Sequence, residues 1–474
     1  MDKIIGREKE QKLLLKLSNA TQSVFLAIYG RRRVGKTYLV RSFFNDQFDF
    51  YASGLSNVPM SQHLANFHQS LIAADAKESL MEPPNDWFEA FRRLTKLLIN
   101  SKSSQKRIFI DELPWLDTPK SNFIPALEYF WNTWASARTD IMLIVCGSAA
   151  SWMISNLINH KGGLHNRVTD RIELAPFTLK ETAQFFVSRG AKLNYYQVLQ
   201  IYMVMGGIPF YLNKLDLDDS MVQNVNRLCF EADGAMNTEF NILYQSLFQN
   251  AEKHITIVKA LAKKNKGLTR AEIAKQTGLP SGGSLTRILD ELERSNFVRS
   301  YNSFGHKKTE NLYQLIDLYS LFYLKFIDHL SKEDSKNWIN GIDNPKYKVW
   351  AGYAFELLGL IHINQIKKAL GIEGVETSTS SWLGKSENKK AQIDLVIDRR
   401  DQVVSICEFK FSTNQFTIDK KYAENLQNKI EVFRSSTKTK KAIQLAMITT
   451  YGLKPNSYSN SFVQKDLKMD IFFE

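Results

Sequence analysis

The sequence predicts an α/β protein with several domains, and three observations support this class. An apolar strand pattern leads through a glycine-rich loop into a helical pattern near the start, a basic segment with three helical patterns lies in the middle, and two strand patterns that carry acids lie in the last third. With 474 residues, the chain is long enough for about three domains. We expect a parallel sheet with a phosphate-binding loop, a helical lid, a small helical module with a hairpin, and a second α/β domain.

Composition excludes a disordered chain and a disulfide scaffold. Hydrophobic residues make up 44% of the chain and aromatic residues 12%, which is enough for several cores. Cys146, Cys229 and Cys407 are far apart and match no disulfide or zinc spacing, which favours a reducing compartment. The start has no apolar signal segment, and the uncharged run at residues 141–158 contains glycine, serine and asparagine, so we interpret it as a buried strand that feeds a helix. We expect a cytoplasmic protein with no membrane partner.

The charge of the chain favours a polyanionic partner. The net charge is +13, from 62 Lys and Arg against 49 Asp and Glu, and basic surfaces concentrate phosphate-bearing molecules. Residues 253–310 carry twelve basic and five acidic residues, so the excess is concentrated in the middle of the chain. DNA is therefore a candidate partner for this segment.

The glycine-rich loop has the P-loop pattern G-x4-G-K-T. Residues 30–37 read GRRRVGKT between the β-prone run at 23–29 and the helical pattern at 38–43, which is the context that this motif requires. Glycines let the backbone N–H groups turn toward phosphate, Lys36 would contact the β- and γ-phosphates, and Thr37 would ligate Mg²⁺. A chance glycine-lysine turn is the alternative. We expect ATP contacts from Gly30, Arg31, Arg32, Arg33, Val34, Gly35, Lys36 and Thr37.

Two acids follow the next suitable strand pattern, and a serine follows another. Residues 107–110 read RIFI, an arginine and an apolar run, and lead into Asp111 and Glu112. We expect Asp111 to hold Mg²⁺ and Glu112 to polarise the attacking water. A solvated turn is the alternative for these acids. Ser148 follows the strand pattern at 141–146 and either contacts the γ-phosphate or caps the next helix.

At these residues the sequence resembles the AAA+-like ATPases, most closely the archaeal-type ATPase group near the STAND class, over residues 4–212. The matching segments are IGRE, GRRRVGKT, IFIDELPWL, VCGSAASWM, HNR, RIEL and GGIP with the tyrosine and leucine that follow. The resemblance implies that Gly6 and Arg7 lie near the adenine, that Pro209 closes over the base, and that Arg167 is an arginine finger reaching a neighbouring subunit, hence a homo-oligomer. Arg171 competes for the finger role, and a surface ion pair is the plain alternative. The group often holds nucleotide as a switch.

The basic segment predicts a winged helix-turn-helix. Three helical patterns precede two strand patterns. The helical patterns lie at 255–261, from 268 up to the break at 278–280, and around the apolar stripe of 285–292; the strand patterns lie at 297–301 and 311–315, with a basic tip at 303–308 between them. Thr269 and Glu272 are spaced as a capping box, and the third helix has one apolar stripe, formed by Leu285, Ile288, Leu289 and Leu292. Arg287, Arg294, Lys307 and Lys308 fall off the apolar positions and would contact DNA. Packing against the nucleotide core or another subunit is the alternative.

The last third contains an acidic pair and a lysine. Asp394 lies in the strand pattern at 391–398, and Glu408 and Lys410 share one face of the pattern at 404–411. The hairpin between these strands would bring Asp394 alongside Glu408. Two neighbouring carboxylates ionise most easily around a divalent cation, and Mg²⁺ can activate a water against a phosphodiester.

These residues, together with Glu356 on the preceding helix, resemble the PD-(D/E)XK nuclease superfamily over residues 348–447. The resemblance implies a restriction-endonuclease-like α/β fold, with Asp394 and Glu408 as metal ligands and Glu356 and Lys410 in catalysis. Gln392 and Ile393 stand where the family pattern has its proline. A vestigial domain that binds DNA or protein without cutting is the alternative.

The predicted organisation has five parts. They are a P-loop core at 1–180, a helical lid at 181–250, the winged helix at 251–317, a helical linker at 318–345 and the nuclease-like domain at 346–474. We expect an ATP-gated, Mg²⁺-dependent nuclease that acts on nucleic acid, in defence or in the processing of foreign DNA. The alternatives are a nucleotide-dependent signalling switch and a DNA-binding ATPase regulator, each with a C-terminal domain that does not cleave.

Overall fold

The structure is a computed structural model. It describes residues 3–159, 166–305, 311–328, 344–386 and 389–474. The chain divides into two compact units, one ending at Pro176 and the other running from Phe177 to Glu474. Within the described residues, no helix is both long and apolar enough to cross a membrane.

The N-terminal unit is a parallel sheet with helices packed on it. Its strands are β1 (Val24–Tyr29), β2 (Phe50–Ser53), β3 (Lys106–Asp111), β4 (Ile141–Gly147) and β5 (Asp170–Glu173). Its helices are α1 (Glu8–Ser18), α2 (Lys36–Phe43), α3 (Met60–Ala74), α4 (Trp87–Asn100), α5 (Phe123–Thr133) and α6 (Ala150–Trp152). The run at 141–158 that lacks charge is a fully buried strand followed by a helix, as the sequence predicts.

The strand order of this sheet brings three loops to one edge. The order is β2-β3-β4-β1-β5, and every pair is parallel. All strands therefore point the same way, and the segments that follow β1, β3 and β4 meet at the carboxyl edge. Ligands bind at this edge of open parallel α/β sheets.

The second unit begins with helices. They are α7 (Leu179–Ser188), α8 (Tyr195–Met205), α9 (Pro209–Leu212), α10 (Met221–Val225), α11 (Glu239–Leu247) and α12 (Ala251–Ala262). Next come β6 (Leu268–Thr269), α13 (Arg270–Thr277), α14 (Gly283–Arg294), β7 (Val298–Tyr301), β8 (Leu312–Leu315) and α15 (Leu318–Phe326). The three strands form an antiparallel sheet in the order β6-β8-β7. The predicted capping box of Thr269 and Glu272 is present at α13, and the apolar stripe of α14 is buried.

A mixed sheet ends the chain. Its elements are α16 (Pro345–Ile361), α17 (Ile363–Ala369), β9 (Thr377–Ser386), β10 (Lys389–Arg399), β11 (Val403–Lys410), α18 (Lys420–Thr437), β12 (Ala442–Thr449), α19 (Ser457–Phe462) and β13 (Lys465–Lys468). The order is β13-β12-β11-β10-β9; β9, β10 and β11 run antiparallel, and β11, β12 and β13 run parallel. A buried apolar cluster joins this sheet to α18, so β10 and β11 are central strands held on a core.

Candidate functional site

The loop after β1 has a backbone that requires glycine at two positions. Gly30 has φ +145°, and a Cβ there would lie 2.3 Å from the carbonyl oxygen of Leu174. Gly35 has φ +93° and immediately precedes α2, which begins at Lys36. These conformations let the loop wrap back over the helix N-terminus, where backbone N–H groups favour an anion.

Lys36 is held at the centre of this loop. Its Nζ donates to the carbonyl oxygens of Gly30 at 3.0 Å and Arg31 at 3.1 Å, and to the hydroxyl of Ser148 at 3.0 Å. Burial lowers the pKa of Lys36, and the charge of Glu112 acts in the opposite direction. A buried ammonium whose partners are neutral oxygens is well placed to gain a phosphate, because the phosphate would supply a full negative charge.

Thr37 and Asp111 meet beside this lysine. The Thr37 hydroxyl donates to Asp111 Oδ2 at 2.6 Å, and burial raises the pKa of Asp111. A hydroxyl and a buried carboxylate are the oxygen ligands that Mg²⁺ prefers, usually together with waters. The residues therefore fit the ion, and bound Mg²⁺ would neutralise charge on the β- and γ-phosphates.

Glu112 and Ser148 link the ends of two strands. Glu112 adopts φ +47°, and its side chain accepts hydrogen bonds from the backbone N–H and the hydroxyl of Ser148, the former at 3.1 Å. No side-chain hydrogen bond caps α6, so Ser148 serves this network and not the helix-cap alternative. The chain of contacts runs from Glu112 through Ser148 to Lys36. That Glu112 polarises the attacking water stays a prediction.

The other residues predicted to contact ATP differ from one another in burial and in backbone conformation. Arg7 is buried, has φ +56°, and donates from Nη2 to the carbonyl oxygen of Val34 at 3.2 Å. Gly6 also has a positive φ of 62°, so these two residues form a turn against the phosphate loop. Arg31 is buried, whereas Arg32 is exposed; Arg33 is partly buried and has φ +72°. An adenine contact from Gly6 and Arg7 stays a prediction.

The structure assigns no nucleotide contact to the predicted arginine finger or to the segment predicted to close over the base. Arg167 and its competitor Arg171 are both exposed, and the histidine that precedes the finger motif lies outside the described residues. Gly206 ends α8 in the left-handed conformation with φ +67°, the conformation in which a glycine commonly ends a helix. Pro209 begins α9 in the second compact unit. The roles of Arg167 and Pro209 in nucleotide binding stay predictions.

Comparisons with known proteins agree with this geometry. A solved Walker-type ATPase, PABY2304 of Pyrococcus abyssi, is 16% identical with a TM-score of 0.50, over 68% of this chain and 96% of that one; at this identity the likeness shows the fold alone. Residues 4–215 match the family model described as an ATPase domain predominantly from Archaea. Residues 4–215 form an archaeal-type ATPase domain.

A curated relative extends the likeness beyond the ATPase domain. The uncharacterized protein MJECL04 of Methanocaldococcus jannaschii is 26% identical over 375 residues, which is 77% of this chain and 79% of the relative. The matched ATPase domain itself runs past Pro176 to include α7, α8 and α9. An ATPase of this type uses ATP, and Lys36, Thr37 and Asp111 are the residues that fit the nucleotide and its Mg²⁺.

A second polar site lies in the C-terminal sheet. Leu395 pairs with Cys407 across β10 and β11, so the next position along the ladder places Asp394 opposite Glu408, as the predicted hairpin requires. The pairing of β10 with β9 shifts register around Asp394, between Ile393 and Val396. Such a bulge re-aims a side chain at the edge of a site.

Two lysines neutralise the acids of this site. Lys266 Nζ donates to Glu356 Oε1 at 2.7 Å and to Asp394 Oδ1 at 3.1 Å, and Lys429 Nζ donates to Glu408 Oε2 at 2.6 Å. The other oxygen of Glu408, Oε1, is buried and has no hydrogen-bond partner among the described residues. The structure therefore brings Glu356, Asp394 and Glu408 together around two ammonium groups.

The acids and lysines of this site shift one another's pKa values. Burial, together with the charge of Asp394, raises the pKa of Glu408 to about 7, and Lys429 acts in the opposite direction. Burial and the charge of Asp394 also raise the pKa of Glu356. Burial opposes ionisation of Asp394 too, but Lys266 and Lys429 outweigh it and lower its pKa. Asp394 is thus the acid held ionised, while Glu408 retains a proton near neutral pH.

Lys410 lies at the end of β11 beside an aromatic pair. Its Nζ is 4.8 Å from the ring centre of Tyr422 and 5.9 Å from that of Phe416. Its charge is among those that lower the pKa of Glu408, so it faces the same site. This position leaves the ammonium available to a phosphate oxygen.

Metal ligation at this site is not evident from the side chains alone. Over the described ranges, no group of three or more His, Cys, Asp or Glu side chains is arranged to hold a metal ion. The carboxylates instead take Lys266 and Lys429 as counter-ions. Since Mg²⁺ is commonly held by one or two carboxylates plus waters, Asp394 and the unpartnered oxygen of Glu408 still fit it.

Sequence reasoning missed Lys266, because no local pattern connects the basic segment to the acids. Contact between α14 and DNA stays a prediction, and the charges on that helix bear on it. That helix carries two arginines but three acids: Arg294 donates to Asp290 at 2.8 Å, and Arg287 lies 3.7 Å from Glu291. Lys307 and Lys308 lie outside the described residues. The net acidic α14, with its arginines paired, is poorly suited to a phosphate backbone.

Proposed function

We propose that this ATPase gates a Mg²⁺-dependent nuclease in its C-terminal domain, acting on DNA. The observation that carries the proposal is the meeting of Glu356, Asp394 and Glu408 beside Lys410, in one cluster built from α16, β10 and β11. Buried acids that repel one another are costly for folding. They are typical of sites that a cation and a substrate complete.

The proposed chemistry assigns a task to each side chain. Asp394 and Glu408 would hold Mg²⁺, which when bound would lower the pKa of a water and neutralise charge on a phosphodiester oxygen. Lys410 contacts the phosphate and stabilises the negative charge that develops during attack. Glu356, next to Asp394, keeps that carboxylate oriented and accepts a proton from the water network.

The first domain supplies the gate in this proposal. Lys36 and the loop N–H groups bind the triphosphate, Glu112 orients a water against the γ-phosphate, and Arg167 completes the site of a neighbouring subunit in a homo-oligomer. The exposure of Arg167 supports that last role. The three-helix segment with β6, β7 and β8 is proposed as a winged helix. Because α14 carries paired charges, we place the main DNA contact at the acid site and at the hairpin tip.

A second candidate is a nucleotide-dependent switch whose C-terminal domain is a scaffold. The observation that favours it is the pairing of every acid of the cluster with a lysine, which is also what a vestigial site would show. ATP hydrolysis would then occur without DNA cleavage.

Plasmid nicking separates the two candidates. Wild-type protein with Mg²⁺ and ATP should nick supercoiled DNA, Asp394→Asn should not, and Asp398→Asn should behave as wild type. Asp398 is the matched control because it lies on the same strand but pairs with Lys441 at 2.6 Å. Lys36→Ala should lose the dependence on ATP. Equal nicking by wild type and Asp394→Asn would mean that this site does not cut, and ATP hydrolysis without nicking would favour the switch.

A further inference from the structure

Lys266 reaches the acid site from a different part of the second unit. It lies in the turn of residues 264–267, between α12 and β6, and it is 90 residues from Glu356 and 128 residues from Asp394 in the chain. Its side chain is 19% exposed, so its ammonium is inserted between the two carboxylates and not spread over the surface. The contact spans the predicted winged helix and the predicted nuclease-like domain.

The turn that carries Lys266 is held by three side chains. Tyr301 donates to the carbonyl oxygen of Lys266 at 2.6 Å. Gln314 and Tyr353 both donate to the carbonyl oxygen of Asn265, at 2.6 and 2.7 Å. Tyr353 lies on α16, one turn before Glu356, so the helix that supplies an acid also anchors the turn.

The backbone of the turn leaves little freedom. Gly267 has φ +79°, and a Cβ there would lie 2.3 Å from the carbonyl oxygen of Tyr313 on β8. Gly267 N–H also closes the turn on the carbonyl oxygen of Lys264 at 2.8 Å. A surface lysine that met an acid by chance would not need an anchored backbone, two tyrosines and a glycine in close contact with a strand.

We infer that Lys266 is an internal counter-ion that keeps the acid site closed, and that a divalent cation enters only when the Lys266 ammonium leaves the two carboxylates, while the turn of residues 264–267 stays anchored. The inference rests on the proposed function: it takes the metal site from that proposal and states what controls the entry of the cation. Lys266 occupies Glu356 Oε1 and Asp394 Oδ1, while Glu408 Oε1 stays without a partner. A metal that took Asp394 would meet the ammonium at close range, and like charges at that distance exclude each other.

Metal binding by full-length variants tests the inference without any cleavage assay. In the absence of nucleotide, Lys266→Met should bind Mn²⁺ about tenfold tighter than wild type, because a competing positive charge has been removed. Lys264→Met is the matched control: it is two residues away and pairs with Glu272 on the surface at 2.8 Å, and it should bind as wild type. Adding Asp394→Asn to Lys266→Met should abolish the gain.

Amine labelling of the wild-type protein keeps the inference testable if Lys266→Met fails to fold. Peptide mass spectrometry should show Lys266 acetylated slowly without metal and several-fold faster in Mn²⁺, with Lys264 unchanged. Mn²⁺ binding that depends on Asp394 but is no tighter in Lys266→Met, or Lys266 labelling that metal does not accelerate, would overturn the counter-ion role while sparing the metal site. Absence of any binding that depends on Asp394 would instead remove the proposed function.

Discussion

Replacement of Glu408 by glutamine is the most quantitative test of the acid site. Burial and the neighbouring Asp394 raise the pKa of Glu408 to about 7, from 4.5 for an unperturbed glutamate. The folded protein then binds a proton between these values that the unfolded chain has released. By linkage, the free energy of unfolding falls as pH rises through this window. Since one pKa unit is worth about 1.4 kcal/mol, this rise corresponds to a few kcal/mol at most.

The expected result is a change in how steeply the free energy of unfolding depends on pH. Wild type should lose up to about 1.4 kcal/mol of unfolding free energy per pH unit between pH 5 and 7 from this group, and Glu408→Gln should lose that part of the slope. An offset at a single pH is less informative, because glutamine also removes the charge that Lys429 contacts. The control is Glu376→Gln, an exposed glutamate paired with Arg400, which should leave the slope unchanged.

Urea unfolding at several pH values measures the slope, and infrared spectroscopy measures the carboxyl group directly. A protonated-carboxyl band that titrates near neutral pH should be present in wild type and absent from Glu408→Gln. Saturating Mn²⁺ should remove the same band from wild type, because a bound cation favours the ionised form. If wild type and Glu408→Gln have the same pH dependence of the free energy of unfolding and the same carboxyl band, burial and Asp394 do not raise the pKa of Glu408 as we describe.

Three further predictions concern the rest of the molecule. Lys36→Ala should abolish the thermal stabilisation by ATP, which at a hundredfold excess over Kd amounts to about 2.7 kcal/mol. Lys96→Ala, at an exposed lysine on α4, should retain it, and an equal thermal shift in both variants would contradict the loop assignment. Gly30→Ala should lower the melting temperature and weaken ATP binding, since its Cβ would clash with the carbonyl of Leu174 at 2.3 Å, and a wild-type melting curve would refute that strain. Burial lowers the pKa of His362 to about 4, from 6.5, so the free energy of unfolding should fall by a few kcal/mol at most as pH drops from about 6.5 to 4. Denaturation curves at several pH values should show this loss, and its persistence in His362→Gln would assign it to another group.

The phosphate site was predictable because its signals are local. The loop at residues 30–37 combines glycine, lysine and threonine at fixed spacing, and buried strands give continuous apolar runs. Asp111 and Ser148 were found because each directly follows such a run. Ser148 contacts Glu112, the neighbour of Asp111, because the parallel strands β3 and β4 end at the same edge of the sheet.

The acid cluster was predictable only in part. Strand alternation and a short hairpin place Asp394 beside Glu408, and both features are local. The counter-ion Lys266 is not local: it is 128 residues from Asp394, and no periodicity reports such a contact. Similarly, the apolar stripe of α14 was correct, but the pairing of Arg294 with Asp290 on its polar face depends on rotamers that spacing does not fix.

Diffraction at the manganese edge tests the central claim most directly. Crystals of the full chain with a non-hydrolysable ATP analogue and Mn²⁺ should show two anomalous peaks per chain, one beside Thr37 and Asp111 and one between Asp394 and Glu408. The Lys266 ammonium should have left the second site. A peak beside Thr37 alone, with Lys266 still bonded to Asp394 at saturating Mn²⁺, would contradict a nuclease and leave an ATPase with a scaffold domain.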